Sequence, residues 1–450
     1  MQYIQQIIFA ILVLATFGIA ARKYKFVYRN VMLGTQEPIE NNPAARIKNT
    51  IMIALGQKKM FKRPLAAVMH LFIYVAFMFT QIELIEIFVD GLFGTHRFFR
   101  PYLSILYPII INTIEFLSLG ALIATFVFLS RRNLLKLPRF TMSEMNGWPK
   151  LDGNLILYAE TILVCCIFLM NSADMAHNSD YGFILSGLLT PLWGDTISAD
   201  SLHIAERIGW WGHIIVVFGF INYLPYSKHL HIMLAFPNTY FARLSPKGEM
   251  KNMDDVQQEV ASMFDPEAAF AEPDMNAPMP KFGASDVTEL HWTSVLAAYT
   301  CTECGRCSSV CPATQTGKKL SPRKIMMDVR DRADEIGTNI DLNKTEFINA
   351  EQKDQVSVLT AENYDDGKSL FDSISEEELR ACTTCSACME ACPIMISPMD
   401  LIVELRRNLI LEKSQSPEEW NAMFNAVENN GAPWAFSPDD RDKWITDANS

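Results

Sequence analysis

The sequence predicts an all-α chain: a five-helix transmembrane bundle followed by a cytoplasmic helical domain. Three observations carry that reading. Of 450 residues, 49% are hydrophobic and 20% charged, too apolar for an ordinary soluble protein and too charged for a bare membrane bundle, so the chain divides in two. The apolar residues concentrate in runs near or above the length that crosses about 30 Å of hydrocarbon. Downstream, CTECGRCSSVCP from Cys301 is echoed by CTTCSACMEACP from Cys382, and a Ser-Pro helix start follows each.

Five spans are expected, at 3–21, 64–89, 103–130, 155–172 and 204–226. The first lacks basic residues before its apolar run and has Arg22, Lys23 and Lys25 where a cleavage site would lie, so it reads as a retained anchor. The run YGFILSGLLTPLWG at 181–194 is too short and too rich in Gly and Pro to span, and reads as re-entrant or interfacial. Orientation follows from charge. The loop after span one holds Arg22, Lys23, Lys25, Arg29, Arg46, Lys48, Lys58, Lys59, Lys62 and Arg63, and the loop after span three holds Arg131, Arg132, Lys136, Arg139 and Lys150, whereas the short loop on the other side offers only Arg97 and Arg100. The positive-inside rule then puts the N-terminus outside and everything from about residue 227 in the cytoplasm. The expected organisation is a membrane domain at 1–240, an acidic Pro- and Met-rich linker at 241–284, and a helical cysteine-bearing domain at 285–450. The acids behind the net charge of −12 lie largely in that last half. Nucleic acid is excluded as a partner on this balance.

The eight motif cysteines sit in a reducing compartment, where structural disulfides are not expected. Four thiolates spaced C-x2-C-x2-C-x3-C before a proline suit a 4Fe-4S cube: three bind from the short loop and the fourth reaches the neighbouring cluster. Cys301, Cys304, Cys307 and Cys392 are thus expected to hold one cluster, and Cys382, Cys385, Cys388 and Cys311 the other. Zinc, the alternative, usually takes two C-x2-C pairs per site. Cys165 and Cys166, inside span four, read as packing residues.

Three of the eight histidines are placed to be axial ligands. His213 and His231 lie 18 residues apart, five turns or about 27 Å if one helix continues past Pro225. His70, two turns into span two, is at the depth of His231, and these two can hold one b-type haem between them. The alternative is interfacial or core histidines satisfied by neighbours. His229 points away from His213 on the same helical wheel and enters only if the proline kink rotates the last turn. His96, His177 and His291 fall in loops and receive no role. Glu83, Glu86, Glu115 and Glu160 are costly in hydrocarbon unless paired, and mark either a quinone pocket, a proton path or paired interfacial carboxylates.

Two resemblances sharpen this. WTSVLAAYTCTECGRCSSVCPA and the tail NGAPWAFSPDDRDKW, within 285–445, resemble the helical dicluster ferredoxin domain of heterodisulfide reductase subunits and of the iron–sulfur subunits of glycolate oxidase and anaerobic glycerol-3-phosphate dehydrogenase. RPLAAVMH in span two and PYSKHLH closing span five resemble the membrane cytochromes of respiratory nitrate reductase and membrane-bound heterodisulfide reductase. The second resemblance implies a haem held by His70 and His231. In that pattern the partner of His213 falls at Thr80, which is not a haem ligand, and Met78 nearby reads as packing; a second haem therefore lacks a ligand.

No glycine-rich dinucleotide fingerprint, P-loop or nucleophile elbow occurs. Larger relatives of the dicluster domain continue into CCG modules beyond the point where this chain reaches Ser450. The resemblance then implies a relay subunit passing electrons between the membrane quinone pool, a haem, two clusters and a soluble CCG-type iron–sulfur or flavoprotein subunit, docked near Trp434, Phe436 and Trp444. The competing expectation is an iron–sulfur redox sensor or membrane anchor without haem.

Overall fold

The computed structural model describes residues 3–36, 38–194, 197–264, 281–435 and 437–450. Five helices are long and apolar enough to cross a membrane. They are α1 (Ile4–Val31) and, after a short α2 (Pro43–Thr50), α3 (Pro64–Phe93), α4 (Leu106–Asn133), α5 (Trp148–His177) and α6 (Ala199–Tyr223). Pro64 opens α3, where its missing N–H needs no partner, and Gly94 closes it with φ 71°. The faces turned away from the bundle are apolar, with Ile7, Ile11 and Leu14 of α1 exposed, as lipid rather than water requires. Between α5 and α6, small residues allow close approach: a Cβ on Gly209 would lie 2.7 Å from Met170 N.

α6 does not run on to His231. Pro225 sits in a tight turn, Leu224–Tyr226, Ser227 is extended and caps the N–H of His229, and a second turn leads into α7 (His231–Phe241). The expected 27 Å alignment of His213 and His231 on one helix is therefore replaced by a break. Proline lacks the N–H that would continue the ladder, and the serine offers its hydroxyl instead.

The expected linker contains α8 (Asp254–Phe264); its residues 265–280 lie outside the described residues. Beyond it come α9 (Trp292–Thr300), α10 (Pro322–Asp341), α11 (Pro398–Arg407) and α12 (Glu418–Asn430). Both Ser-Pro helix starts form, but only Ser397 caps its helix, accepting from Asp400 N, while the Ser321 hydroxyl donates to Glu144. No strand forms among the described residues, only two isolated bridges.

The cluster-side core is shared. Val27 and Val31 of α1 pack with Leu296 and Tyr299 of α9, Ile325 and Val329 of α10, and Leu401 and Leu405 of α11. With 28 residues α1 is about 42 Å long, longer than the hydrocarbon, and its last turns enter this domain. There Asn30, wholly buried, donates to Tyr299 Oη at 2.9 Å, and Arg29 donates to the Gly337 carbonyl at 2.7 Å. The same domain meets the approach to α3 through Arg63 and Ser309 (2.6 Å), the α4–α5 loop through Glu144 and the fully buried Arg323 (2.8 Å), and the α6–α7 turn through Lys228 and Glu303. It thus caps the end of the bundle that carries the basic loops.

The opposite end is closed by a buried polar cluster. Arg97 binds Asp174 at 2.8 Å and reaches Glu83 at 3.5 Å; Glu86 accepts from Tyr107 Oη and Phe99 N, both at 2.8 Å; Glu115 accepts from Asn171 and Ser186. Three of the four carboxylates flagged in the spans are therefore paired. The segment 181–194 forms short helical turns, Ile184–Leu189 and Thr190–Leu192, with Tyr181 and Phe183 packed on α4.

Candidate metal centres

Each cysteine loop is built on the same backbone device. In CTECGRC, Glu303 and Gly305 have φ of 52° and 67°; at the matching places in CTTCSAC, Thr384 and Ser386 have 52° and 58°. Alternating into the left-handed region turns successive N–H groups inward as an anion-binding nest, at a local cost for the non-glycine residues. The Thr384 N–H donates to Cys382 Sγ at 3.4 Å, and the Ile396 N–H to Cys392 Sγ at 3.3 Å. No spacing rule in the sequence signals these left-handed positions; only the repeated loop does.

The loops cross. One cavity is lined by Cys301, Cys304 and Cys307 from the first loop and by Cys392 from the second. The thiols acting on Cys388 are Cys382, Cys311 and Cys385. Cys307 also senses Cys388, so the sets adjoin. Burial above all, with neighbouring thiolates adding to it, pushes the Cys301 and Cys388 thiols up to about 12; thiols so buried are held as thiolates only against compensating positive charge. Among the described residues no three His, Cys, Asp or Glu side chains converge as a single metal ion requires. A four-iron cube takes its thiolates one to an iron, and the crossed loops supply four cysteines to the first cavity.

Beside the first loop lies a histidine group. The His70 and His231 rings are 6.4 Å apart between centroids. Two imidazoles binding one metal from opposite sides at about 2 Å each set their centroids roughly 6 Å apart, so the pair fits a bis-histidine haem. His70 Nδ1 lies 3.1 Å from Gln57 Oε1, and His231 Nδ1 lies 3.1 Å from the Lys228 carbonyl. Both acceptors fix the proton on Nδ1 and leave Nε2 for a metal, the usual outer-sphere arrangement. The break after Pro225 also brings in His229, 5.5 Å from His231, with its Nδ1 buried and without a hydrogen-bond partner. Sequence reasoning missed Gln57, whose left-handed φ of 50° aims a buried side chain at His70. His213 is buried deep in α6 with Nδ1 unpartnered, whereas half-buried Thr80 bonds its own helix carbonyl and Met78 is exposed. Among the described residues no second histidine is brought to His213.

The first loop touches the turn that precedes α3, Lys58–Lys62, where Arg306 Nη1 donates to the Met60 carbonyl at 3.4 Å. Lys59 Nζ donates to the Met389 carbonyl beside Cys388 at 3.0 Å. Cys385 is exposed. Trp434 and Trp444 are exposed as well, and Phe436 lies outside the described residues.

Comparison with known proteins agrees with this geometry over the cysteine region. Residues 300–396 match the family described as 4Fe-4S dicluster domain. This stretch is a dicluster domain. Along the longer chain, the "Probable iron-sulfur-binding oxidoreductase FadF" of Bacillus subtilis is 27% identical over 94% of the chain and 59% of that relative. The "EtfAB:quinone oxidoreductase" of Syntrophomonas wolfei is 25% identical over 89% of the chain and 54% of its own length. A "Probable membrane-anchored ferredoxin" of Chromohalobacter salexigens is 31% identical over 39% of the chain and 25% of its own length. The chain spans little more than half of the first two. No solved structure gives a significant match. The chain thus joins a 4Fe-4S dicluster domain to five helices long and apolar enough to cross a membrane.

Proposed function

We infer that this chain is the membrane-bound electron-transfer subunit of a respiratory oxidoreductase, working between the quinone pool of a cytoplasmic membrane and a soluble redox partner on the cytoplasmic side. The observation that carries the reading is the His70–His231 pair, with both Nδ1 atoms tied, abutting the first cysteine loop. When bound, a b-type haem and two 4Fe-4S clusters supply one-electron carriers in series. The residues do the rest. His70 and His231 would hold the haem through Nε2; Cys301, Cys304, Cys307 and Cys392 would hold one cluster, and Cys382, Cys385, Cys388 and Cys311 the other, which reaches the exposed face at Cys385. Arg306 and Lys59 bind the two loops to the start of α3 and keep the sets in register with the histidines.

Quinone as the membrane-side substrate is supported by the name of the Syntrophomonas relative and by Glu160. This carboxyl lies on the α5 stripe of Ile156, Leu157, Val164 and Ile167, all buried, and has no partner among the described residues. Quinone turnover moves two protons with two electrons, and an unpaired intramembrane carboxyl is suited to carry one of them. A soluble CCG-type or flavoprotein subunit as cytoplasmic partner rests on resemblance and on the exposed Cys385 loop. The test is anaerobic reduction of the purified chain with a quinol analogue, followed optically and by electron paramagnetic resonance. Haem and cluster signals that respond together are expected. Iron–sulfur signals without any haem band would replace the relay with the haem-free sensor or anchor.

A further inference from the structure

The cavity lined by Cys301, Cys304, Cys307 and Cys392 has two charged residues in its wall, Arg306 and Arg323, and no carboxylate among the described residues that line it. Arg323 is wholly buried, and its Nε is left without a hydrogen-bond partner. Its other nitrogens are spent, Nη2 on Glu144 at 2.8 Å and Nη1 on the Arg139 carbonyl. It is also the second residue of α10, where the helix dipole disfavours a cation. Gly305 makes room for it, since a Cβ there would lie 2.5 Å from Arg323 Nη1. Arg306 is buried too, and meets the Met60 carbonyl but no carboxylate among the described residues. Buried cations in such a wall call for an anion between them. A four-iron cube with four thiolates is one, and each added electron makes it more so.

The second half of the repeat lacks both cations. Where the first loop has Gly305 and Arg306, the second has Ser386 and Ala387; where Arg323 follows Ser321 and Pro322, Met399 follows Ser397 and Pro398. Met399 packs with Met389 on Cys388. The place of Ser309, bonded by Arg63, is taken in the second loop by Glu390, which is matched to Lys62 and Lys247. Arg406 stands beside the second set but gives Nε and Nη2 to the Leu379 and Cys382 carbonyls. The acid of the first loop, Glu303, turns its carboxylate to Lys228 and Arg330. We propose that Arg306 and Arg323 hold the first cluster at a higher reduction potential than the second, both by their charge and Arg323 also through its free Nε–H. Charge and hydrogen bonds at the sulfurs set such potentials. Water at the exposed Cys385 favours reduction of the second cluster in the same sense, but it acts at one ligand, whereas two cations shut away from water act on the first through a low dielectric. An electron shared by the two then rests at the first set, against the turn before α3. One cluster loses what the other gains, and no bond or proton moves. The use made of that electron rests on the relay reading; the order of the potentials does not.

The test is a potentiometric titration of the full detergent-purified chain with its clusters, followed by electron paramagnetic resonance, the signal altered in Cys304→Ser marking the first cluster. That cluster is expected to be reduced first. Arg306→Gln should make it harder to reduce by about tenfold in equilibrium constant, about 59 mV for one electron, and leave the second cluster where it was. Arg323→Met, which copies the second half of the repeat, should act in the same direction. Iron content shows whether each variant holds its clusters; if Arg323→Met does not, Arg306→Gln decides. A first cluster reduced last in the unaltered chain, an unshifted midpoint in Arg306→Gln, or an equal shift of both clusters would each overturn the proposal. The titration uses neither haem nor quinol, so a chain without haem would end the relay reading and leave this one standing.

Discussion

Cys392 belongs to the second motif by sequence and to the first cavity by position, and that crossing is the sharpest statement the molecule makes about single residues. Cys392→Ser is therefore expected to remove the cluster of Cys301, Cys304 and Cys307 and to spare the other, lowering iron from about eight to about four per chain. Anaerobic iron analysis with electron paramagnetic resonance reads this; loss of the Cys382 cluster instead would refute the crossing. At the histidines, His70→Ala or His231→Ala should abolish the reduced haem band, and His213→Ala should leave it. Gln57→Leu is the subtler variant. It removes the acceptor for His70 Nδ1, so haem should still bind but with affinity lower by roughly ten- to hundredfold, measured by haem loss to an apoprotein acceptor. An unchanged affinity would mean that Gln57 only fills space.

At the scale of elements, the contact between α1 and α10 has no slack. A Cβ on Gly337 would collide with the amide of Asn30, which is wholly buried and bonded to Tyr299. Gly337→Ala should then push α10 off α1 at a cost of about 1–3 kcal/mol, seen as a lower thermal midpoint of the cluster domain with the membrane helices unaffected. Element identity was legible because its causes are local: apolar length makes a span, and Ser-Pro after a cysteine loop starts a helix. The end of α6 was less so. Pro225 alone is compatible with a kinked continuous helix, and the outcome turned on Ser227 supplying its hydroxyl to His229 N, a choice between neighbours of similar energy. The dicluster character of the cysteine region was legible because thiolate spacing is imposed by the cluster. The roles of Gln57 and Arg323 were not, since they depend on contacts with residues far along the chain, His70 and Glu144.

The whole molecule is held together at the membrane surface by one apolar core and by buried charges. Glu303 bonds both Lys228 of the α6–α7 turn and Arg330 of α10, the latter at 2.7 Å. Residues 285–450 expressed alone would expose the faces that Val27, Val31, Leu33 and Leu230 cover. That fragment is expected to bind a hydrophobic dye and aggregate, and a soluble, monomeric, dye-silent fragment would show that the shared core is dispensable.

α1 is made before the other four long apolar helices, and the helices that cover its far end come after all of them. A chain synthesised from its N-terminus must therefore hold Val27, Val31 and the amide of Asn30 uncovered while four more spans are inserted, and only then can α9, α10 and α11 close over them. Maturation is ordered by that geometry. Iron delivered before the last of the five helices is seated would meet cysteine loops whose supporting core is still incomplete.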